Sequence, residues 1–157
     1  MKNIKPNYFI IPLITIAVAL FGNYFTAQGL NGWYDELVKP SWTPSGAIIG
    51  AIWTFLYALV TAVVLIFWNK FKDNKRFKLI IGLFVINAIL NATWSMLFFG
   101  FNLVGLSLIH ISLLNLTILG LIFFLWPLSR KMAVALIPYT AWVFVATTLN
   151  YFIWIAN

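Results

Sequence analysis

Cysteine is absent from this chain, and only Asp35, Glu36 and Asp73 are acidic. The first absence excludes a disulfide framework, a thiolate metal site and a cysteine nucleophile. The second leaves the apolar cores of the second through fifth spans without a carboxylate pair for acid–base catalysis. After Asp73 the chain holds no acid at all. Carboxylates inside membrane spans mark proton relays and coupled ion transport, so their lack argues against a proton-coupled pump or antiporter. Histidine occurs once, at His110. One histidine without cysteine or carboxylate neighbours cannot assemble a metal site, and it is expected to bond a neighbouring helix.

Charge as a whole is scarce. Charged residues make up 8% of the chain and hydrophobic ones 63%, with a mean hydropathy of +0.97. A soluble domain is nearer about 25% charged and about 45–50% apolar. A chain of 157 residues cannot hide that much apolar surface from water, so the solvent must be lipid.

A helix needs about 20 apolar residues to cross the hydrocarbon core. Five stretches qualify: 8–26, 46–68, 78–99, 104–125 and 133–155. The expected fold is an all-α membrane protein, one five-helix transmembrane domain with an outer loop over 28–45. The first stretch is longer than the apolar core of a cleaved signal peptide and reads as a retained span. Pro44 suits the first turn of the second helix.

Nine of the ten basic residues fall on one side: Lys2, Lys5, Lys70, Lys72, Lys75, Arg76, Lys78, Arg130 and Lys131. Only Lys39 falls on the other. This is the bias of a cytoplasmic face. It places the N-terminus in the cytoplasm, and the first loop and C-terminus outside. The formal net charge of +7 therefore does not imply nucleic acid, because no folded basic face carries it.

Uncharged polar and aromatic residues recur at helical spacing. Gly46, Gly50, Trp53, Tyr57 and Thr61 share a face of the second span. Asn87, Asn91, Trp94, Ser95 and Phe98 do so on the third, and Tyr139, Trp142, Ala146 and Asn150 on the fifth. Amides are costly in lipid unless paired, so these faces should point inward. They suit a pocket for a flat, mostly apolar ligand; helix–helix bonding would produce the same pattern. The GxxxG of Gly46 and Gly50, and the Thr15, Ala19, Gly22 and Thr26 face of the first span, read as packing faces within the bundle. The first loop carries Trp33, Tyr34 and Trp42 with Pro40 and Pro44. Loops of this length are often functional, and this one reads as a lid over the bundle or as an interfacial belt.

Three segments resemble the translocator protein family, also called tryptophan-rich sensory proteins (TspO/MBR) or peripheral-type benzodiazepine receptors. The first is Trp33-Tyr34 with Leu37-Val38-Lys39-Pro40-Ser41-Trp42-Thr43-Pro44, running on to Trp53 and Leu56-Tyr57. The second is Asn87 with Asn91-Ala92-Thr93-Trp94-Ser95 and Phe98-Phe99-Gly100. The third is Pro138-Tyr139-Thr140-Ala141-Trp142 with Ala146-Thr147-Thr148-Leu149-Asn150 and Asn157.

The resemblance implies a five-helix bundle in a bacterial plasma membrane, often a homodimer. It implies a pocket for protoporphyrin or haem as ligand, with no cofactor required and no metal site. By position, Tyr34, Pro44, Trp53, Tyr57, Asn87, Asn91, Trp94, Trp142, Ala146 and Asn150 would line or border it. Two departures stand out. Ser45 replaces a proline common in the family. No Lys or Arg follows Leu149 and Tyr151, which argues against sterol binding through the weak motif some members carry there.

The expected function is therefore a membrane receptor or sensor that binds porphyrins, for transport or removal of tetrapyrroles. An alternative is an enzyme that degrades porphyrin oxidatively or photochemically, with Trp53 and Trp142 as candidate redox residues. A third is a structural or partner-binding membrane subunit.

Overall fold

The computed structural model describes residues 5–30 and 32–157; Lys2 lies outside them. Seven α-helices form, and no strand does among the described residues. They are α1 (Asn7–Leu30), α2 (Trp33–Glu36), α3 (Gly46–Lys70), α4 (Phe77–Ser95), α5 (Val104–Leu125), α6 (Arg130–Ala135) and α7 (Ile137–Ala156). A π-turn, Met96–Gly100, extends α4. Five helical spans are long and apolar enough to cross a membrane.

The spans agree with the sequence periodicity and differ at their ends. The first runs on to Leu30, so the loop is shorter than 28–45 and holds the four-residue α2. Pro44 does not open the second helix. Ser45 caps it instead, its hydroxyl accepting from Ile48 N. A hydroxyl at that position satisfies a helix-start N–H, which a proline cannot do. The fifth span is two helices. Pro138 lacks the N–H that would bond one turn back, and the chain breaks at Leu136 between α6 and α7.

The outer surface is apolar. Phe9, Leu13, Phe123 and Phe144 are each about two-thirds or more exposed, and only lipid tolerates such a surface. The core is a stripe of α5, Ile111, Leu114, Ile118, Leu121 and Leu125, all fully buried. Its 3-4-3-4 spacing keeps one side of α5 against α4 and α7. Between spans in lipid the gain is close packing rather than escape from water.

Close neighbours run α3–α1–α4–α5–α7 around the bundle. One end of α3 is anchored. Phe67 stacks on Phe71 and Phe77 at 5.8 and 5.5 Å, and α6 packs nearby. The other end stands away from its neighbours. A Cβ added at Gly46 or Gly50 would meet nothing within 4 Å. The GxxxG expected to pack a helix within the bundle therefore does not. Its missing side chains leave room beside α3. The first-span face does pack at Gly22, where a Cβ would touch Ser95 Oγ at 3.4 Å, and at Thr15, whose hydroxyl lies 2.9 Å from that of Thr61.

Candidate functional site

The space beside α3 is a cavity of about 930 Å³. Tyr34, Pro44, Trp53, Tyr57, Asn91, Trp94, Trp142, Ala146 and Asn150 all line it. Asn87 does not. It borders a smaller recess of about 140 Å³ between α1, α3 and α4, which shares Trp53, Tyr57 and Asn91 with the cavity.

Two features of the wall differ from the sequence expectation, which gave Ala19, Gly22 and Thr26 only as part of a packing face. α1 contributes Ala19, Gly22, Asn23 and Thr26; their small and polar types at three- and four-residue spacing carried the signal. Phe98 and Phe99 both line the cavity although adjacent in sequence. Both lie in the π-turn, where Phe101 N bonds back five residues to Met96 O at 2.9 Å. Such turns cluster at functional sites.

Aromatic rings dominate the walls. Trp53 lies 5.7 Å from Tyr57 and 6.4 Å from Tyr139 between centroids. Trp94 stacks on Phe98 at 5.2 Å. Over the mouth, Trp33 and Tyr34 pack on Phe98 at 5.5 and 6.2 Å. Lys39 sits 4.5 Å above the Tyr34 ring and donates to its carbonyl. Tyr34 is held neutral above its ordinary value of 10.0, first by burial and then by the charge of Asp35.

Polar groups in the wall are mostly spoken for. Asn150 is buried; its Oδ1 accepts from Trp94 Nε1 at 3.2 Å and its Nδ2 donates to Val104 O at 3.0 Å. It ties α7 to the start of α5. Tyr57 donates to Asn91 at 2.7 Å, Asn91 to Tyr139 at 2.8 Å, and Tyr139 to Asn87 at 3.1 Å. Asn87 thus acts behind the wall, through Tyr139. The buried Nε1 of Trp142 has no partner among the described residues. An open buried donor of this kind calls for an explanation.

His110 bonds the neighbouring α4, at 2.9 Å to Thr93 and 3.0 Å to Leu90 O. Among the described residues no three potential metal ligands gather. The arrangement can enclose a flat, largely apolar molecule and offer it ring faces and a few hydrogen bonds. Among the described residues it presents no conventional nucleophile with an adjacent base.

The family model described as the TspO/MBR family matches residues 10–155. The chain is 34% identical over 148 residues to a tryptophan-rich protein TspO of Archaeoglobus fulgidus, covering 92% of this chain and 93% of that one. It is 38% identical over 125 residues to a tryptophan-rich protein TspO of Bacillus cereus, with 80% of each covered. It is 30% identical over 131 residues to the translocator protein of Homo sapiens, with 83% and 77% covered.

Proposed function

This chain belongs to the TspO/MBR family, and from that premise we propose that it is a membrane receptor for porphyrins, which it binds in the cavity beside α3. The observation that carries this reading is the cavity wall. Nine separately expected residues meet around about 930 Å³, within the range of small-molecule sites. Trp53, Trp94 and Trp142 supply ring faces to a planar macrocycle. The unpartnered Nε1 of Trp142 is a donor in keeping with a ligand acceptor, because a buried N–H is costly unless paired. Binding serves sensing, transport or removal of the tetrapyrrole, and the basic end of the bundle faces the cytoplasm. A homodimer is part of the same proposal, as is the absence of a required cofactor.

A second reading is photo-oxidation of the bound ring, favoured by the placement of Trp53 and Trp142 on the same cavity. Equilibrium titration with protoporphyrin IX tests the first reading, with Trp53→Leu expected to weaken it at least fivefold. Illumination of the complex tests the second. Appearance of a new chromophore that Trp142→Phe suppresses supports it; equal conversion by Trp142→Phe removes Trp142 from any chemical role.

A further inference from the structure

One chain of hydrogen bonds crosses the bundle behind the cavity. It runs Tyr57 to Asn91 at 2.7 Å, Asn91 to Tyr139 at 2.8 Å, Tyr139 to Asn87 at 3.1 Å, and Asn87 to Thr117 at 2.8 Å. Thr117 ends it on Leu114 O at 2.7 Å. Asn87, Asn91 and Tyr139 are buried.

Each amide lies between two hydroxyls, so heavy-atom positions alone would let the donors point either way. The far end decides. A backbone carbonyl only accepts, so Thr117 donates to Leu114 and has no second proton. Asn87 must then turn Nδ2 toward Thr117 and Oδ1 toward Tyr139. Tyr139 must donate to Asn87, Asn91 must donate to Tyr139, and Asn91 Oδ1 is left facing Tyr57. The Tyr57 proton is therefore committed to Asn91. Toward the cavity its oxygen has only lone pairs to offer. Reversing the chain would forfeit the Thr117–Leu114 bond.

We propose that Thr117, which lines neither recess, sets the hydrogen-bond polarity of the cavity wall, so that Tyr57 selects flat ligands presenting an N–H or O–H donor. Thr117 is a positioning residue, and Tyr57 is the group that reads the ligand. The proposal rests on the cavity's being a ligand site. Its bias is about fivefold, the factor that one hydrogen bond's net contribution carries.

Two planar three-ring probes test it. Carbazole presents an N–H donor and 9-fluorenone a carbonyl acceptor on a similar frame. Dissociation constants for both are measured by equilibrium dialysis in nanodiscs. The fluorenone-to-carbazole ratio is expected to fall about fivefold from wild type to Thr117→Val, because the chain can then reverse at no loss. Thr117→Ser keeps the hydroxyl and is expected to keep the wild-type ratio. A merely structural role for Thr117 would weaken both probes alike. An unchanged ratio in Thr117→Val overturns the proposal, as does an equal fall in Thr117→Ser; Thr117→Ala carries the same test if the valine variant does not assemble. Failure of both probes to saturate the wild-type protein instead defeats the reading of the cavity as a ligand site, and saturation by fluorenone alone overturns the proposal.

Discussion

Asn157 clasps Val38 through two hydrogen bonds. Val38 N donates to Asn157 Oδ1 at 3.0 Å, and Asn157 Nδ2 donates to Val38 O at 3.2 Å. The last residue of the chain thus pairs with the loop backbone as a neighbouring strand would. Trp42 against Phe152 at 6.2 Å adds a second contact between loop and α7. The loop is fixed over the cavity mouth from both Phe98–Phe99 and α7. Asn157→Ala removes both clasp bonds. Both are exposed, so together they contribute about 1 kcal/mol. Ligand release, followed by stopped-flow fluorescence, is expected to quicken about fivefold.

The mouth also depends on how closely α1 approaches the π-turn. A Cβ at Gly29 would lie 2.8 Å from the Phe99 side chain and 2.9 Å from its carbonyl oxygen. The backbone atom cannot swing aside as a flexible side chain can. Gly29→Ala is expected to destabilise the protein by about 1–3 kcal/mol, read as a lower thermal midpoint in detergent. Gly50→Ala, with open space around it, is expected to leave that midpoint nearly unchanged and to reduce ligand affinity.

Much of this was legible in the sequence, for physical reasons that are uneven. Lipid imposes a minimum span length and a strong composition, so the five spans stood out; 104–125 matches α5 at both ends. Amides and tryptophans at helical spacing had to turn inward, and of the ten residues that the family resemblance pointed to, nine line the cavity. Asn87 carried the same pattern but stands behind Tyr139, because periodicity gives a face and not a depth. The π-turn has no composition signal and shifts register within one helix. The GxxxG of Gly46 and Gly50 is equally ambiguous, since a flat strip can receive a helix or leave a void. The break at Leu136 was written in Pro138, although the apolar run continued across it.

Tyr34 gives the site a defined response to alkali. Its folded pKa lies above 10.0, from burial first and Asp35 second. A raised pKa means that the folded state holds the proton more tightly. The stability this contributes is intact below the ordinary value and is lost as pH rises through the folded one. Stability is expected to show no Tyr34 component between about pH 6 and about pH 9. The alkaline decline above that is expected to be smaller in Tyr34→Phe, measured by denaturation across pH.

The proposed orientation, with the basic end in the cytoplasm, is open to a direct test. A single cysteine at Lys39 is expected to react with a membrane-impermeant maleimide on intact cells. One at Lys75 is expected to react only after lysis. The opposite pattern would invert the bundle and place the cavity mouth in the cytoplasm.

Binding of a porphyrin in the cavity beside α3 is open to one direct measurement. Protoporphyrin IX and a sterol are titrated separately into the protein in nanodiscs, with tryptophan fluorescence as the signal. Saturable quenching by protoporphyrin IX is predicted, weakened at least fivefold in both Trp53→Leu and Trp142→Leu, with no comparable response to the sterol. Quenching that never saturates, or that both variants retain in full, would contradict it.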